Sequence, residues 1–184
     1  MSPQQPLTRA QFEEALTPAA LQMTQIIQGA LMAGPVVALI AIAAVGLSDQ
    51  PHASGPGPME TVRTLTLVHA IVTVLAYLFA PYLYLVTFDP KRLFNPRIDE
   101  PAELIAARCV GLQRSAIILR LAVLEGAAFM GVAVCLIGIM NGVFAVQPLF
   151  WFNLLSLLLM LAYSLFTFPS RERLINWFEQ RFTP

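Results

Sequence analysis

Apolar residues along this chain do not alternate with polar ones. They run together in four long blocks: "IIQGALMAGPVVALIAIAAVGL" (26–47), "LTLVHAIVTVLAYLFAPYLYLVTF" (65–88), "AIILRLAVLEGAAFMGVAVCLIGI" (116–139) and "LFWFNLLSLLLMLAYSLFTF" (149–168). Each has about 20 residues or more, the length a helix needs to cross a hydrocarbon core about 30 Å thick. With no water in that core, a helix satisfies every backbone polar group of a spanning segment internally. The pattern predicts an all-α integral membrane protein, a single domain over 1–184, with four transmembrane helices connected as two antiparallel hairpins.

The polar segments predict the remaining elements. "SDQPHASGPGPMETVRT" (48–64) is rich in Pro, Gly and Ser and reads as a mobile connection. The short "MNGVFAVQP" ties spans 3 and 4 into a tight hairpin. In the segment 89–115, Asp99-Glu100-Pro101 is a helix-start signature, and "AELIAARCVGLQRSAIILRL" continues from it at helical spacing into span 3. One helix of about 40 residues, roughly 60 Å long, then extends two turns or more beyond the bilayer. Thr8-Arg9-Ala10-Gln11 matches a capping box for a short amphipathic helix carrying Phe12 and Leu16, and Thr17-Pro18 opens the next helix. At the other terminus an amphipathic helix is expected over 170–182. Leu174, Phe178 and Phe182 recur every four residues beside Trp177, with Arg171, Arg173 and Arg181 between them. That helix suits either the lipid headgroup region or the surface of a partner protein.

Charge sets the orientation. Arg9, Lys91, Arg92, Arg97, Arg108, Arg114, Arg171, Arg173 and Arg181 all fall on the side that holds both termini, and Arg63 alone falls on the other. By the excess of positive charge on cytoplasmic segments, both termini are expected in the cytoplasm of a bacterial-type inner membrane. Arg120, just inside span 3, is expected to snorkel to the same face. The first twenty or so residues are polar and carry no cleavable signal pattern, so span 1 is expected to act as its own insertion signal.

Composition sharpens this picture without changing it. Hydrophobic residues make up 57% of the chain and charged ones 12%. Soluble domains carry about 25% charged residues, so too little polar surface is left to cover four such helices in water. Eleven acidic and eleven basic residues cancel and offer no field for nucleic acid. Cys109 and Cys135 lie on one predicted helix, roughly 39 Å apart, and cannot bridge. His52 and His69 are the only histidines, which leaves no set of metal ligands. No cofactor is implied, and no motif of hydrolases, redox thiols or phosphate-cradling loops occurs. A weak internal repeat is present: Leu21-Gln22, Ile26-Ile27 and Gly34 recur as Leu112-Gln113, Ile117-Ile118 and Gly126. Duplication of one hairpin would produce such a pattern.

Candidate chemistry centres on Glu125, a carboxylate roughly 10 Å inside span 3. A charged glutamate exposed to lipid there costs several kcal/mol, so it should face other helices, pair or stay protonated. Arg120 is about 140° away around the helix and does not pair with it. Gln25, Gln28, Tyr82, Tyr84, Tyr163 and Ser164 are the polar residues at matching depth, and a hydrogen bond from one of them would lock span 3 to its neighbours. Gly34, Ala122, Gly126 and Gly131 fall in small-xxx-small spacings that allow close helix approach. His69, a lone imidazole on an apolar helix, reads as a structural hydrogen-bonding residue.

"LEGAAFMGVAV" (124–134) resembles the carboxylate-bearing helix of the proteolipid (c) subunits of rotary ATP synthases. The likeness covers about a dozen residues. It implies an ion-carrying role for Glu125, with Gly126, Ala127 and Gly131 as packing positions. Those subunits are usually two-span hairpins with a glycine-repeat helix, and "GALMAGPVVALIAIAAVG" lacks that dense repeat. From the residues themselves the expected role is non-catalytic: an accessory or assembly subunit of a membrane complex, or a small homo-oligomeric bundle. Its partners would be the lipid bilayer and other membrane subunits or copies of itself. The alternative is a proton or ion pathway through Glu125.

Overall fold

The computed structural model describes residues 7–46, 56–89 and 101–182, and its regular structure is entirely helical. Helix α1 (Arg9–Ala15) starts at the capping box: Gln11 N–H donates to Thr8 Oγ1 at 3.3 Å, and Thr8 N–H donates to Gln11 Oε1 at 2.9 Å. Two orphan donors are thereby satisfied reciprocally. Thr17 Oγ1 accepts from Ala20 N at 3.2 Å and opens α2 (Pro18–Gly46). Then follow α3 (Pro56–Thr87), α4 (Ala102–Met140), the single turn α5 (Val143–Val146), a 3-10 segment (Pro148–Leu154), α6 (Leu155–Phe166) and α7 (Arg171–Phe182). Four of these stretches are long and apolar enough to cross a membrane, the last being the 3-10 segment with α6. The chain is a multi-pass helical membrane protein.

Two boundaries differ from the pattern. Helix α3 begins at Pro56, so 56–64 is helix where a mobile connection was expected. Pro56 and Pro58 occupy its first turn, where a missing N–H leaves no hydrogen bond unmade. Residues 47–55 and 90–100, the rest of the two long connections, lie outside the described residues. Span 4 begins in the tighter 3-10 form rather than as α-helix. Gly142, at φ 64°, reverses the chain after α4, and Pro148 sits at the first position of the 3-10 segment. Helix α4, at 39 residues, has the length expected of it.

Helix α4 is the axis of the bundle. Half of its most apolar window is buried, against 11% for α2 and for α3. Helices α2, α3 and α6 all pack on it. Its middle buries Leu124, Ala127, Ala128 and Val132 against Ala76 and Ala80 of α3 and Leu157 and Met160 of α6. Most large apolar side chains of α3, and several of α2, face outward, Ile40, Leu67, Leu78 and Tyr82 among them. That arrangement is stable only where lipid is the solvent.

At the end that holds both termini, the first turns of α4 do not stand alone. Phe12 and Leu16 of α1 and Leu174, Ile175 and Phe178 of α7 close over Ile105, Cys109 and Ile117 of α4 and Phe88 after α3. Phe12 and Phe178 stack with ring centroids 4.4 Å apart, and Arg9 bonds Glu13 and, at 2.8 Å, Glu179. The Glu13 hydrogen bond and the field of Glu179 hold the Arg9 pKa above its ordinary value, so this cation stays charged. The apolar face of α7, read from sequence as a surface for lipid or for a partner, is thus covered by the chain's own α1 and α4.

Candidate functional site

Of the polar groups within the apolar bundle, three bear on chemistry, and each lies on α4 or packs against it. The first is Glu125. It faces α2, where an added Cβ on Gly34 would lie 3.0 Å from Glu125 Oε1 and 3.2 Å from Phe129 Cζ. The absence of a side chain at Gly34 is what admits the carboxylate. Among the described residues Glu125 makes no hydrogen bond and no ion pair. None of the partners expected for it bonds it. Gln25 donates to Pro169 O at 2.9 Å, Gln28 donates to Ser164 O at 2.7 Å, and Tyr82 is 60% exposed on the outer face of α3.

The second is Arg120. It does not snorkel outward, because the structure turns it into the bundle at 7% exposure. Its guanidinium carbon lies 4.9 Å from the ring centroid of Tyr84, 5.2 Å from that of Tyr163 and 5.5 Å from that of Trp177. Three aromatic faces, from α3, α6 and α7, thus replace the carboxylate that a buried guanidinium usually meets. Nε and Nη2 have no hydrogen-bond acceptor. Cation–π contacts of this kind contribute about 0.5–2 kcal/mol each, so three of them offset much of the cost of leaving two donors unpaired.

The third was missed at the sequence level, except for its histidine. His69 of α3, Asn153 of the 3-10 segment and Ser156 of α6 are each no more than 4% exposed and bond to one another. Asn153 Nδ2 donates to Phe150 O at 2.7 Å and to Thr66 Oγ1 at 3.0 Å. The Phe150 carbonyl can only accept, so the amide nitrogen must lie on that side and Oδ1 must face His69. His69 Nδ1, 2.8 Å from Asn153 Oδ1, therefore carries hydrogen and donates. His69 Nε2 lies 3.0 Å from Ser156 Oγ, which in turn lies 3.1 Å from the Asn153 carbonyl. In a neutral ring Nε2 accepts the Ser156 hydrogen. In a charged ring it donates, and that hydrogen passes to the Asn153 carbonyl. Either way the imidazole is satisfied within the cluster.

Serine bonded to an imidazole, with a third group orienting the ring, is the arrangement that activates a nucleophile in acyl transfer, although in serine triads that third group is a carboxylate rather than an amide. Here the serine has a second acceptor beside it, and the three little-exposed side chains tie α3 to span 4 as a polar clamp. Gly131 of α4 makes room for it. An added Cβ there would press on Asn153 O and lie 2.7 Å from Ser156 Oγ and 2.9 Å from His69 Cε1. Only the spacing of Asn153 and Ser156, three apart at the depth of His69, could have signalled the cluster from sequence.

The other small residues behave differently. Gly126 would meet nothing within 4 Å if given a Cβ, and Ala122 and Gly126 line an open groove between α3 and α4. Among the described residues no group of three or more His, Cys, Asp or Glu converges as a metal site. Cys109 and Cys135 are free and buried. No protein-family model, curated protein sequence or solved structure matches this chain.

Proposed function

We propose that the protein is a non-catalytic subunit of a larger assembly in a bacterial-type inner membrane, or of a homo-oligomer, with both termini in the cytoplasm. The observation that carries this reading is Glu125, a carboxyl group set in a membrane helix and left without a hydrogen bond among the described residues. Such a group costs several kcal/mol against lipid if charged, and even as a neutral acid it lacks an acceptor for its hydrogen. A polar group from a neighbouring chain at the α2–α4 face removes that cost. The orientation rests on the excess of Arg and Lys on the terminal side. The pairing of the spans as two hairpins, and their origin by duplication, belong to the same proposal. The hairpin of spans 3 and 4 rests on the short "MNGVFAVQP", and the duplication on the recurrence of Leu21-Gln22, Ile26-Ile27 and Gly34 as Leu112-Gln113, Ile117-Ile118 and Gly126 with one residue of slip.

The test is the mass of the protein extracted from its native membrane in mild detergent, beside Glu125→Leu and Glu125→Gln. A particle heavier than one 20.2 kDa chain with its detergent is expected. Leucine at 125 should shift it toward single chains, and glutamine, which still hydrogen-bonds, should not. A single chain at every concentration, unchanged by leucine, refutes the reading. The same unpartnered carboxylate favours one alternative, a proton or ion pathway through Glu125. That pathway predicts flux into vesicles containing the protein, lost in Glu125→Gln with the fold intact; equal flux in the two proteins removes it.

A further inference from the structure

Helix α3 carries a groove that neither Glu125 nor the polar clamp explains. A cavity of about 510 Å³ is lined by Glu60, Arg63 and Phe150 at its mouth and by Thr66 and Ala70 below. A second, of about 270 Å³, shares Thr66 and Ala70 with the first and continues to Val74 and Leu159. The two adjoin at Thr66 and Ala70, along the outer face of α3 beside the 3-10 segment and α6. From Arg63 to Val74 the helix rises about 16 Å. That is about half of a hydrocarbon core 30 Å thick, the depth of one leaflet.

The charges sit only at the mouth. Glu60 and Arg63 stand one turn apart on α3, both exposed. Oppositely charged residues at that spacing commonly pair. These two make no ion pair or hydrogen bond with each other or with any described residue. A cation and an anion that line one cavity without neutralising each other are matched by a ligand bearing both charges. A guanidinium is suited to phosphate, which it can engage through two parallel N–H donors. A carboxylate beside it favours an ammonium and disfavours a headgroup whose only charge is negative.

We infer that this groove seats one zwitterionic diacyl phospholipid of the leaflet away from the chain termini. Arg63 takes its phosphate, Glu60 its ammonium, and one acyl chain follows Ala70 and Val74 down to Leu159. The polar clamp of His69, Asn153 and Ser156 forms the inner wall, with its hydrogen bonds turned on itself. The inference needs the bilayer but is independent of the role proposed for Glu125.

The protein, reconstituted in vesicles of equal parts phosphatidylethanolamine and phosphatidylglycerol, is re-extracted in mild detergent and weighed intact with its bound lipid. One phosphatidylethanolamine per chain should remain, in excess over phosphatidylglycerol. Arg63→Gln should lower that retention about tenfold, the worth of one charge-assisted phosphate contact. Glu60→Gln should bring the two lipids to equal retention. Ala70→Trp fills the junction of the two cavities from an exposed position and should abolish retention. Unchanged elution establishes that each variant is folded. Lipid retained in the ratio of the mixture overturns the inference, as does retention in Arg63→Gln or Ala70→Trp equal to that of the unmodified chain.

Discussion

Gly126→Ala and Gly131→Ala add the same methyl group to the same helix, five residues apart, into opposite surroundings. Alanine is favoured over glycine inside a helix by about 0.5–1 kcal/mol, and both substitutions gain that amount. At Gly126 nothing lies within 4 Å of the new carbon, so the gain stands alone. At Gly131 the carbon would press on the Asn153 carbonyl and lie 2.7 Å from Ser156 Oγ and 2.9 Å from His69 Cε1. Comfortable contact begins near 3.5 Å, so the 3-10 segment must retreat by several tenths of an ångström or more. Overpacking of this kind costs about 1–3 kcal/mol. The retreat also stretches the bonds at 2.8 and 3.0 Å that satisfy His69. Losing one leaves a buried polar group unpaired at about 1–3 kcal/mol. Gly131→Ala should therefore be less stable than Gly126→Ala by about 2–6 kcal/mol. Cys109 and Cys135 are free and buried, so a thiol-reactive fluorogenic dye reports thermal unfolding in detergent without further labelling. Gly126→Ala should melt at or above the parent temperature and Gly131→Ala several degrees below it. Equal midpoints for the two variants would show that α4 does not press on the clamp as described.

Other perturbations probe the remaining contacts. His69→Phe keeps an aromatic ring but strands Asn153 Oδ1, while Ser156 Oγ retains the Asn153 carbonyl, and should destabilise by about 1–3 kcal/mol in the same melt. Adding Ser156→Ala should cost less than Ser156→Ala alone, because its bond to His69 is then already gone; fully additive losses would show that the two residues are not coupled. Phe12→Ala removes a side chain that is 0% exposed, at a cost of about 3–5 kcal/mol. It should release α1 from α7, seen as faster protease cleavage ahead of Thr17; an unchanged cleavage rate would refute that docking. The Arg9 pKa is held above its ordinary value by Glu13 and Glu179, so the part of the α1–α7 contact that depends on this cation is present throughout the range in which arginine is normally charged and lost only above it. Cleavage ahead of Thr17 should accordingly not rise through loss of the Arg9 charge between about pH 8 and pH 11, once the protease's own pH profile is divided out.

What could be read from the sequence was whatever depends on one-dimensional pattern. The four apolar runs, the capping box at Thr8 and Gln11, and the unbroken length of α4 are all local consequences of residue type and spacing. The boundaries that slipped, at Pro56 and at the 3-10 start of span 4, are places where proline fits more than one local form. The clamp was hidden because its members come from two spans. Nothing in a single span says that His69 and Ser156 meet, and Gly131, which makes the meeting possible, resembles the glycines that face open grooves. Glu125 is the reverse case. Its depth is legible from span 3 alone, yet the residues that could have bonded it, Gln25 and Gln28, turn instead to carbonyls near the end of span 4.

Arg120 shows why depth alone does not decide the fate of a charged side chain. From its place near one end of span 3, snorkelling toward the headgroups was the cheaper course for an isolated helix. The terminal assembly changes that choice: α7 folds back over the bundle and brings Trp177 to a face already lined by Tyr84 and Tyr163. Once covered, the guanidinium is held by its flat shape, stacked among rings, more than by any counter-ion. Arg120→Met, which keeps length and polarizable contact but removes two unpaired donors, should then change the melting midpoint by less than the equivalent of about 1 kcal/mol. Arg120→Ala should lose about 2–4 kcal/mol, because it leaves the space between the rings empty. If methionine proves as damaging as alanine, the positive charge itself is required, and the aromatic enclosure has to be understood as a site built to hold a cation.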